Sequence, residues 1–519
     1  MPLAVTAICL RGLAHPGYVL QVDSVFGPRS PAATWGFSAP IQLATHLLGG
    51  WLAGRVFVAL ALYLCCFGPM VLLRHRHWLV QVLGGLLGAL NPWVFGRLVE
   101  GQWGVAASVG VMFLWLGAWE RLSHAPGWAS SLACASLAWL AVTFDQHAIG
   151  PLLVLAVASI ALSKGWRQRR TLAWGAASFG LLAAASVYGW VPFFLGHGPE
   201  SYATVRLFSR SDLLLFRSSS NPTYGLWPNL VGLFGFWPER LGRIPLLNAG
   251  AAWWPIPVAV LSLAAVAGCC LRRERAWLLA AGLVGLGAAA STATGPGLTV
   301  MLWLMLHLPV LGAFREPEKW SALWLLALVV LGAESTARLI AWAGSRSPIR
   351  SSLAGLGLAC ILLSVVLPDG VGALRELPAT VVPVTYPKSW TQLAAYMHQH
   401  LAPANTVVIL PWELYEPLAL SRHRLVHNPA PALFPGRLLS PQDAEIGRTA
   451  SQPGPDGIAK ASLEPASGSC HLLRAVRRLG ADWVVVEPAP HGLADLSDLL
   501  RCGAEQRSGS VPGPVLLRP

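Results

Sequence analysis

Ten long apolar segments, separated by short basic clusters, constrain this chain more than any other feature. They run roughly over 52–73, 78–95, 104–119, 129–146, 148–163, 172–195, 249–270, 277–292, 321–342 and 352–368. Each reads as a crossing of a hydrocarbon core about 30 Å thick. Inside lipid a helix satisfies its own backbone hydrogen bonds, so the segments are expected as transmembrane α-helices. Only 12% of the residues are charged, about half the share of a soluble domain.

The basic clusters set the orientation. "RHRH" (74–77) follows the first segment, "KGWRQRR" (164–170) the fifth and "RRER" (272–275) the seventh. Arg346 and Arg350 follow the ninth. Positive loops stay in the cytoplasm, and alternating the spans puts all four clusters on that side. The net charge of +13 is therefore a topology signal, and nucleic acid is not an expected partner. The parity requires that "LTVMLWLMLHLPVLGAF" (298–314) does not cross. With His307 and Pro309 inside it, this stretch is expected as an interfacial or re-entrant helix on the outer face. The leading "MPLAVTAICLRGLA" offers about ten apolar residues, short for a span. It is expected either as an incomplete first helix or as a segment that does not cross.

The same parity gathers polar residues on the outer rim. They are Asp23 of "HPGYVLQVDSVFGPRSP", Arg97, Glu100 and Gln102 of "NPWVFGRLVEGQWG", and Asp145 and His147 of "FDQH". Arg315, Glu316, Glu318 and Lys319 of "FREPEKW" join them. Polar groups at membrane depth are costly and mark functional sites by default. Asp23 can accept the proton of an attacking hydroxyl; the plainer reading is a turn Asp bonded to its own backbone. Arg315 and Lys319 suit a phosphate, since Arg grips two oxygens at once. The plainer reading there is an interfacial anchor, with Trp320 in the aromatic belt. Arg97 and Glu100, at i,i+3, are expected to pair on one helical face after a break at Asn91 and Pro92. Glu100 and Gln102 are also candidates for substrate contact. Asp145 and His147 suit a sugar hydroxyl or a hard cation, or a polar turn between spans. A divalent cation is thus the one cofactor left open. "WPNLVGLFGFWPERLG" (227–242) reads as an amphipathic lid or as packing.

After residue 369 the membrane character ends. The expected division is 1–370 as the transmembrane domain and 371–519 as an extracytoplasmic α/β domain. "SWTQLAAYMHQHL" (389–401) reads as an amphipathic helix and "TVVILPW" (406–412) as a buried strand. "HLLRAVRRLGADWVVVE" (471–487) reads as helix, glycine stop and strand, and "PVLLRP" as a last strand. "RTASQPGPDGIAKASLEPASGSC" (448–470) is expected as a loop. Seven of the nine cysteines lie in apolar segments and act as small hydrophobes. Cys470 and Cys502 are candidates to pair if the tail is outside the cytoplasm.

The blocks "PGYVLQVDSVFGP", "NPWVFGRLVEGQWG" and "LPVLGAFREPEKW", with many spans and a trailing domain, resemble the GT-C class of membrane glycosyltransferases. More narrowly, the chain is similar to actinobacterial arabinofuranosyl- and mannosyltransferase-like integral membrane proteins, over roughly residues 15 to 370. The resemblance implies a polytopic α-helical membrane protein of about 10–11 transmembrane helices. It implies transfer of a sugar from a polyprenyl-phosphate donor to an envelope glycan or lipid acceptor, on the outer face of the plasma membrane. It also implies that Asp23, the one residue matching the family's first-loop position, serves as base or acceptor anchor. The roles of the other residues rest on their chemistry alone. A reading from another class is a non-catalytic envelope scaffold that keeps the same frame. A transporter is disfavoured, because mid-span charges are scarce and paired broken helices are not evident.

Overall fold

The computed structural model describes residues 1–28, 36–196, 201–344, 369–421, 424–441, 445–446, 449–450, 470–488, 490–509 and 513–519. Among these, four helices are long and apolar enough to cross a membrane: Ala39–Leu72, Trp103–His124, Arg273–Ala293 and Pro317–Trp342. Two bent pairs can each form one span: Trp78–Ala89 with Pro92–Glu100 at 42°, and Arg169–Ala185 with Val187–Leu195 at 62°. Trp128–Phe144, Gln146–Leu162 and Pro255–Leu271 are shorter apolar helices. At 1.5 Å per residue each is about 26 Å long, near the lower limit for a span. These helices occupy nine of the ten expected segments. The tenth, 352–368, lies outside the described residues, as do Arg346 and Arg350. The chain is a multi-pass α-helical membrane protein with a sheet-containing C-terminal domain.

Local chemistry explains the breaks. Asn91 accepts from the Val94 N–H at 3.0 Å and donates to the Leu87 and Gly88 carbonyls at 2.9 and 3.0 Å. One side chain thus caps the end of one helix and the start of the next. Pro92 opens the second helix, where its missing N–H costs nothing. Ala39–Leu72 is interrupted at Gly49, whose φ of 72° only glycine adopts readily. The unbroken part therefore starts close to the expected residue 52. The segment expected from 249 becomes helical only at Pro255, because Pro255 and Pro257 start a helix but cannot continue one. Gly295–His307 has 13 residues, about 20 Å, too short to cross. Pro309 disfavours helix at Leu308, and a 3₁₀ turn, Pro309–Phe314, follows. Pro2–Cys9 has 8 residues, about 12 Å, and is also too short.

The basic clusters meet at one end of the bundle. Arg76, Arg275 and Arg272 converge on the buried Glu334 at 2.6, 2.9 and 3.5 Å. Arg275 also reaches Glu120 at 2.9 Å, and Trp166 stacks on Trp119 at 4.2 Å. The helix Trp103–His124 starts beside Gln102 and passes Glu120 about 27 Å further on. The clusters and the rim residues are therefore at opposite ends.

The 227–242 stretch divides. Phe236 and Trp237 are buried, and Glu239 accepts from the Gly235 and Phe236 N–H groups at 3.0 Å each. That part packs the core. Trp227 at one end, and Arg240, Leu241 and Gly242 at the other, stay exposed.

In the C-terminal domain the strands are β1 (Thr406–Leu410), β2 (Tyr415–Pro417), β3 (Leu425–His427), β4 (Arg437–Leu439), β5 (Glu445–Ile446), β6 (Thr449–Ala450), β7 (Trp483–Val486), β8 (Glu505–Gly509) and β9 (Val515–Arg518). The main sheet has the order β4-β1-β7-β9-β8. β1 runs parallel to β4 and β7, with Val408 opposite Val484. β9 is antiparallel to β7 and β8. β2 and β3 form a separate hairpin, and β5 pairs with β6. Helix Lys388–His400 lays Trp390, Leu393 and Met397 into the sheet core. Cys470 and Cys502 form a disulfide, with Cα atoms 5.2 Å apart. Nearly all of the expected 448–470 loop lies outside the described residues.

Candidate active site

The loop bearing Asp23 is built by anchors on three sides. Arg55 donates to the carbonyls of Leu13, Gly17 and His15 at 3.0, 2.8 and 2.6 Å. Tyr18 pairs with Val384 of the C-terminal region through backbone bonds of 2.8 and 2.7 Å. Leu20 enters that domain's core. Gln21 donates to the carbonyls of Leu98 and Val99 at 2.6 and 3.2 Å, and Ser24 donates to that of Gly101. The Asp23 N–H itself donates to the Glu100 carbonyl at 2.9 Å. Gly101 makes this close approach possible. Its φ is 95°, and a Cβ there would lie 2.8 Å from that of Gln21. The loop is held by the bundle and the C-terminal domain together.

From Asp23 a chain of polar contacts runs across this end of the bundle. Gln102 donates to Asp23 Oδ2 at 2.7 Å and to Glu316 Oε2 at 3.3 Å. Lys319 lies 3.5 Å from Glu316 Oε1 and 3.3 Å from His147 Nδ1. His147 Nδ1 is 2.7 Å from Asp145 Oδ1. Its Nε2 donates to the Ala313 carbonyl at 2.8 Å, since a carbonyl only accepts. The rim residues expected from sequence thus lie side by side: Asp23, Gln102, Glu316, Lys319, His147 and Asp145.

Arg97 is fully buried beneath them. Its guanidinium pairs with Glu318 at 3.1 Å and Glu316 at 3.6 Å, contacts the Gln102 side-chain oxygen, and lies 3.8 Å from the Phe236 ring centroid. The expected Arg97–Glu100 pair does not form. Glu100 instead pairs with Arg243, a residue that sequence reasoning did not single out. An Arg placed before Glu is the weaker order for a helical pair, and tertiary partners outcompete it here. Glu318, noted in its motif but not proposed as a site residue, is the buried counter-ion of Arg97.

Arg315 stands differently. Its guanidinium lies over Phe208 at 4.1 Å and Phe216 at 5.0 Å, and its buried Nε has no hydrogen-bond partner among the described residues. Among the described residues it makes no ion pair. The C-terminal domain adds two groups that sequence reasoning missed. Tyr415 Oη donates to Asp23 Oδ1 at 3.4 Å, and its ring lies 5.4 Å from the Arg243 guanidinium. His427 meets Tyr415 edge-on at 6.1 Å. No local pattern marks either residue.

The electrostatics separate the carboxylates. Asp23 is exposed, yet protein packs densely around its carboxylate. Desolvation raises its pKa above the ordinary value, and the nearby Glu316 adds to the rise; Gln102, Arg243 and Lys319 only partly oppose it. Burial alone would also raise Glu316, but Lys319, Arg97 and Arg315 pull it down to about 2. Burial likewise acts against Asp145, and His147 and Lys319 more than offset it, so Asp145 lies below the usual range. Two carboxylates a side chain apart are thus pushed in opposite directions, the pattern that separates a proton acceptor from a permanent charge.

The donors do not fit a divalent cation. Asp145 and His147 face each other, with the Lys319 ammonium beside them. Among the described residues no three metal-type side chains converge.

The pH profile tests this assignment of charges. A base acts only when ionised, so with Asp23 in that role activity should fall as pH drops through its raised value. Glu316→Gln removes the like charge that helps to raise it. The acidic limb of the rate profile is expected to move to lower pH, by a few tenths to about one pH unit. A limb that moves upward or stays fixed contradicts the coupling.

No protein-family model and no curated protein matches the chain. Among solved structures, the arabinofuranosyltransferase AftD from Mycobacteria matches 100% of this chain at 15% identity with a TM-score of 0.61. A mutant form of AftD matches at 14% and 0.59. The chain spans 39% of the length of AftD. ArnT from Cupriavidus metallidurans, solved with bound undecaprenyl phosphate, gives a fainter likeness at 14% identity and a TM-score of 0.44, over 99% of this chain and 96% of that one. The chain has a GT-C-like fold.

Proposed function

We propose that this protein is a membrane glycosyltransferase that takes a sugar from a polyprenyl-phosphate donor and passes it to a hydroxyl acceptor at the Asp23 site. One observation carries the reading: a loop carboxylate of raised pKa and the Arg- and Lys-bearing FREPEK motif meet at one end of a GT-C-like bundle. Beside that motif is an apolar cavity of about 430 Å³, walled by Trp227, Met301, Leu304, Phe314, Pro317 and Trp320. Phe314, Pro317 and Trp320 flank Arg315, Glu316 and Lys319 in sequence. In this reading the cavity takes the first isoprene units of the donor tail, and Arg315 and Lys319, next to its walls in sequence, take the phosphate. The basic clusters at the opposite end support a cytoplasmic location for that end, and with it an outer location for the Asp23 site and the C-terminal domain.

In the reaction, the bond between the sugar C1 and the donor phosphate oxygen breaks, and its electron pair leaves with the polyprenyl phosphate. The acceptor oxygen bonds to C1, and its proton passes to Asp23. Glu316 remains ionised, and Lys319 and Arg97 keep it neutralised. Arg315, free of ion pairs among the described residues, meets the developing phosphate charge.

Binding of undecaprenyl phosphate to the purified protein tests the donor side. Arg315→Ala is expected to weaken it about tenfold or more, the value of a charge-assisted contact. Arg273→Ala, an exposed substitution at the opposite end, should leave it unchanged. Equal affinity in wild type and Arg315→Ala removes Arg315 from the donor site. A protein that binds no such lipid favours the scaffold reading.

A further inference from the structure

The β2–β3 hairpin of the C-terminal domain has two faces with different chemistry. Tyr415 and His427 are directly paired across it and so share a face. That face meets the Asp23 site: Tyr415 donates to Asp23 at 3.4 Å, and the backbone N–H of His427 donates to the Gln21 carbonyl at 3.0 Å. The other face carries Glu416, and Asn428 follows β3. Asn428 donates to Glu416 at 3.0 Å and to Glu487, at the end of β7, at 2.9 Å. All three are at most 1% exposed. Burial, and then the adjacent Glu487, pushes Glu416 well above the carboxylate range; burial also raises Glu487. Two carboxyls are desolvated to hold this hairpin on the sheet, an arrangement too costly to serve as a loose surface turn.

We propose that the C-terminal domain forms the acceptor side of the site, with Tyr415, His427 and Arg243 binding a hydroxyl-rich acceptor, a sugar residue and not a lipid alcohol. This rests on the glycosyltransferase reading. The groups offered are polar and varied. His427 Nδ1 donates to the Asn428 carbonyl at 3.1 Å, which leaves Nε2 a lone-pair acceptor. Burial lowers the His427 pKa and favours that neutral form. The buried Arg243 Nε has no hydrogen-bond partner among the described residues, while its guanidinium lies 5.1 Å from the Trp237 ring and 5.4 Å from that of Tyr415. A donor, an acceptor and a hydroxyl beside the base match neighbouring hydroxyls on one sugar ring. A lipid alcohol presents a single hydroxyl and leaves the rest unpaired.

Transfer from a mixture of polyprenyl-phosphate-linked sugars is measured with octyl glycosides or dodecanol as acceptor, for wild type, Tyr415→Phe and His427→Gln. Octyl glycosides are expected to serve and dodecanol to fail. In both variants the acceptor KM should rise at least fivefold, with undecaprenyl phosphate binding unchanged. A purely structural role would instead lower donor binding and kcat together. Unchanged acceptor KM, or equal use of dodecanol, overturns the acceptor assignment and leaves the glycosyltransferase reading intact. Wild type that binds the donor and transfers to neither acceptor overturns both.

Discussion

Asp23→Asn is expected to lower sugar transfer by about 10²- to 10⁴-fold, the usual contribution of a positioned general base. The substitution keeps the shape of the side chain and both its contacts, since an amide can still face Gln102 and Tyr415. It removes only the capacity to take a proton at neutral pH. Binding of undecaprenyl phosphate should persist, because the donor contacts assigned here come from the Arg315 motif and the apolar cavity. Residual transfer should remain from positioning and phosphate stabilisation. It should also lose the acidic limb of the wild-type pH profile, since that limb reports the protonation of Asp23. Transfer at the wild-type rate in folded Asp23→Asn would remove the base from this account.

Arg97→Met is expected to produce the largest loss of stability. Arg97 is completely buried and Glu318 is 1% exposed. Removing one partner leaves the other as an uncompensated buried charge, at a cost of about 3–5 kcal/mol. Thermal unfolding in detergent, followed by tryptophan fluorescence, should show a lowered midpoint. The double variant Arg97→Met, Glu318→Gln should recover part of the loss, because the stranded charge is then gone. A double variant less stable than the single one would mean that Arg97 acts through its packing on Phe236.

Much of the membrane architecture was legible, because it depends on local properties. Apolar length predicts helices, and Asn91–Pro92 predicts a break between them. Clusters such as "RHRH" and "RRER" fall where their loops turn, and Glu334 joins them at one end. Asp23 and the FREPEK residues stood out as polar groups in apolar surroundings. Their pairings did not. Asp23 meets Gln102 across 79 positions and Tyr415 across 392, and Arg243 meets Glu100 across 143. No periodicity carries contacts over such separations. The Arg97–Glu100 expectation failed for the same reason: local spacing proposes a pair, and distant partners decide it. The tail brings only one tyrosine and one histidine of a short hairpin towards Asp23 among the described residues, a pair with no spacing that a sequence pattern reveals.

The most direct test of the central claim is release of polyprenyl phosphate by the purified wild-type protein in proteoliposomes. The proteoliposomes would be supplied with polyprenyl-phosphate-linked sugars and octyl glycoside acceptors. The account predicts that polyprenyl phosphate accumulates in step with the glycosylated acceptor, and that neither appears when the acceptor is withheld. Donor that stays intact while bound to the protein, with acceptor present, would contradict it.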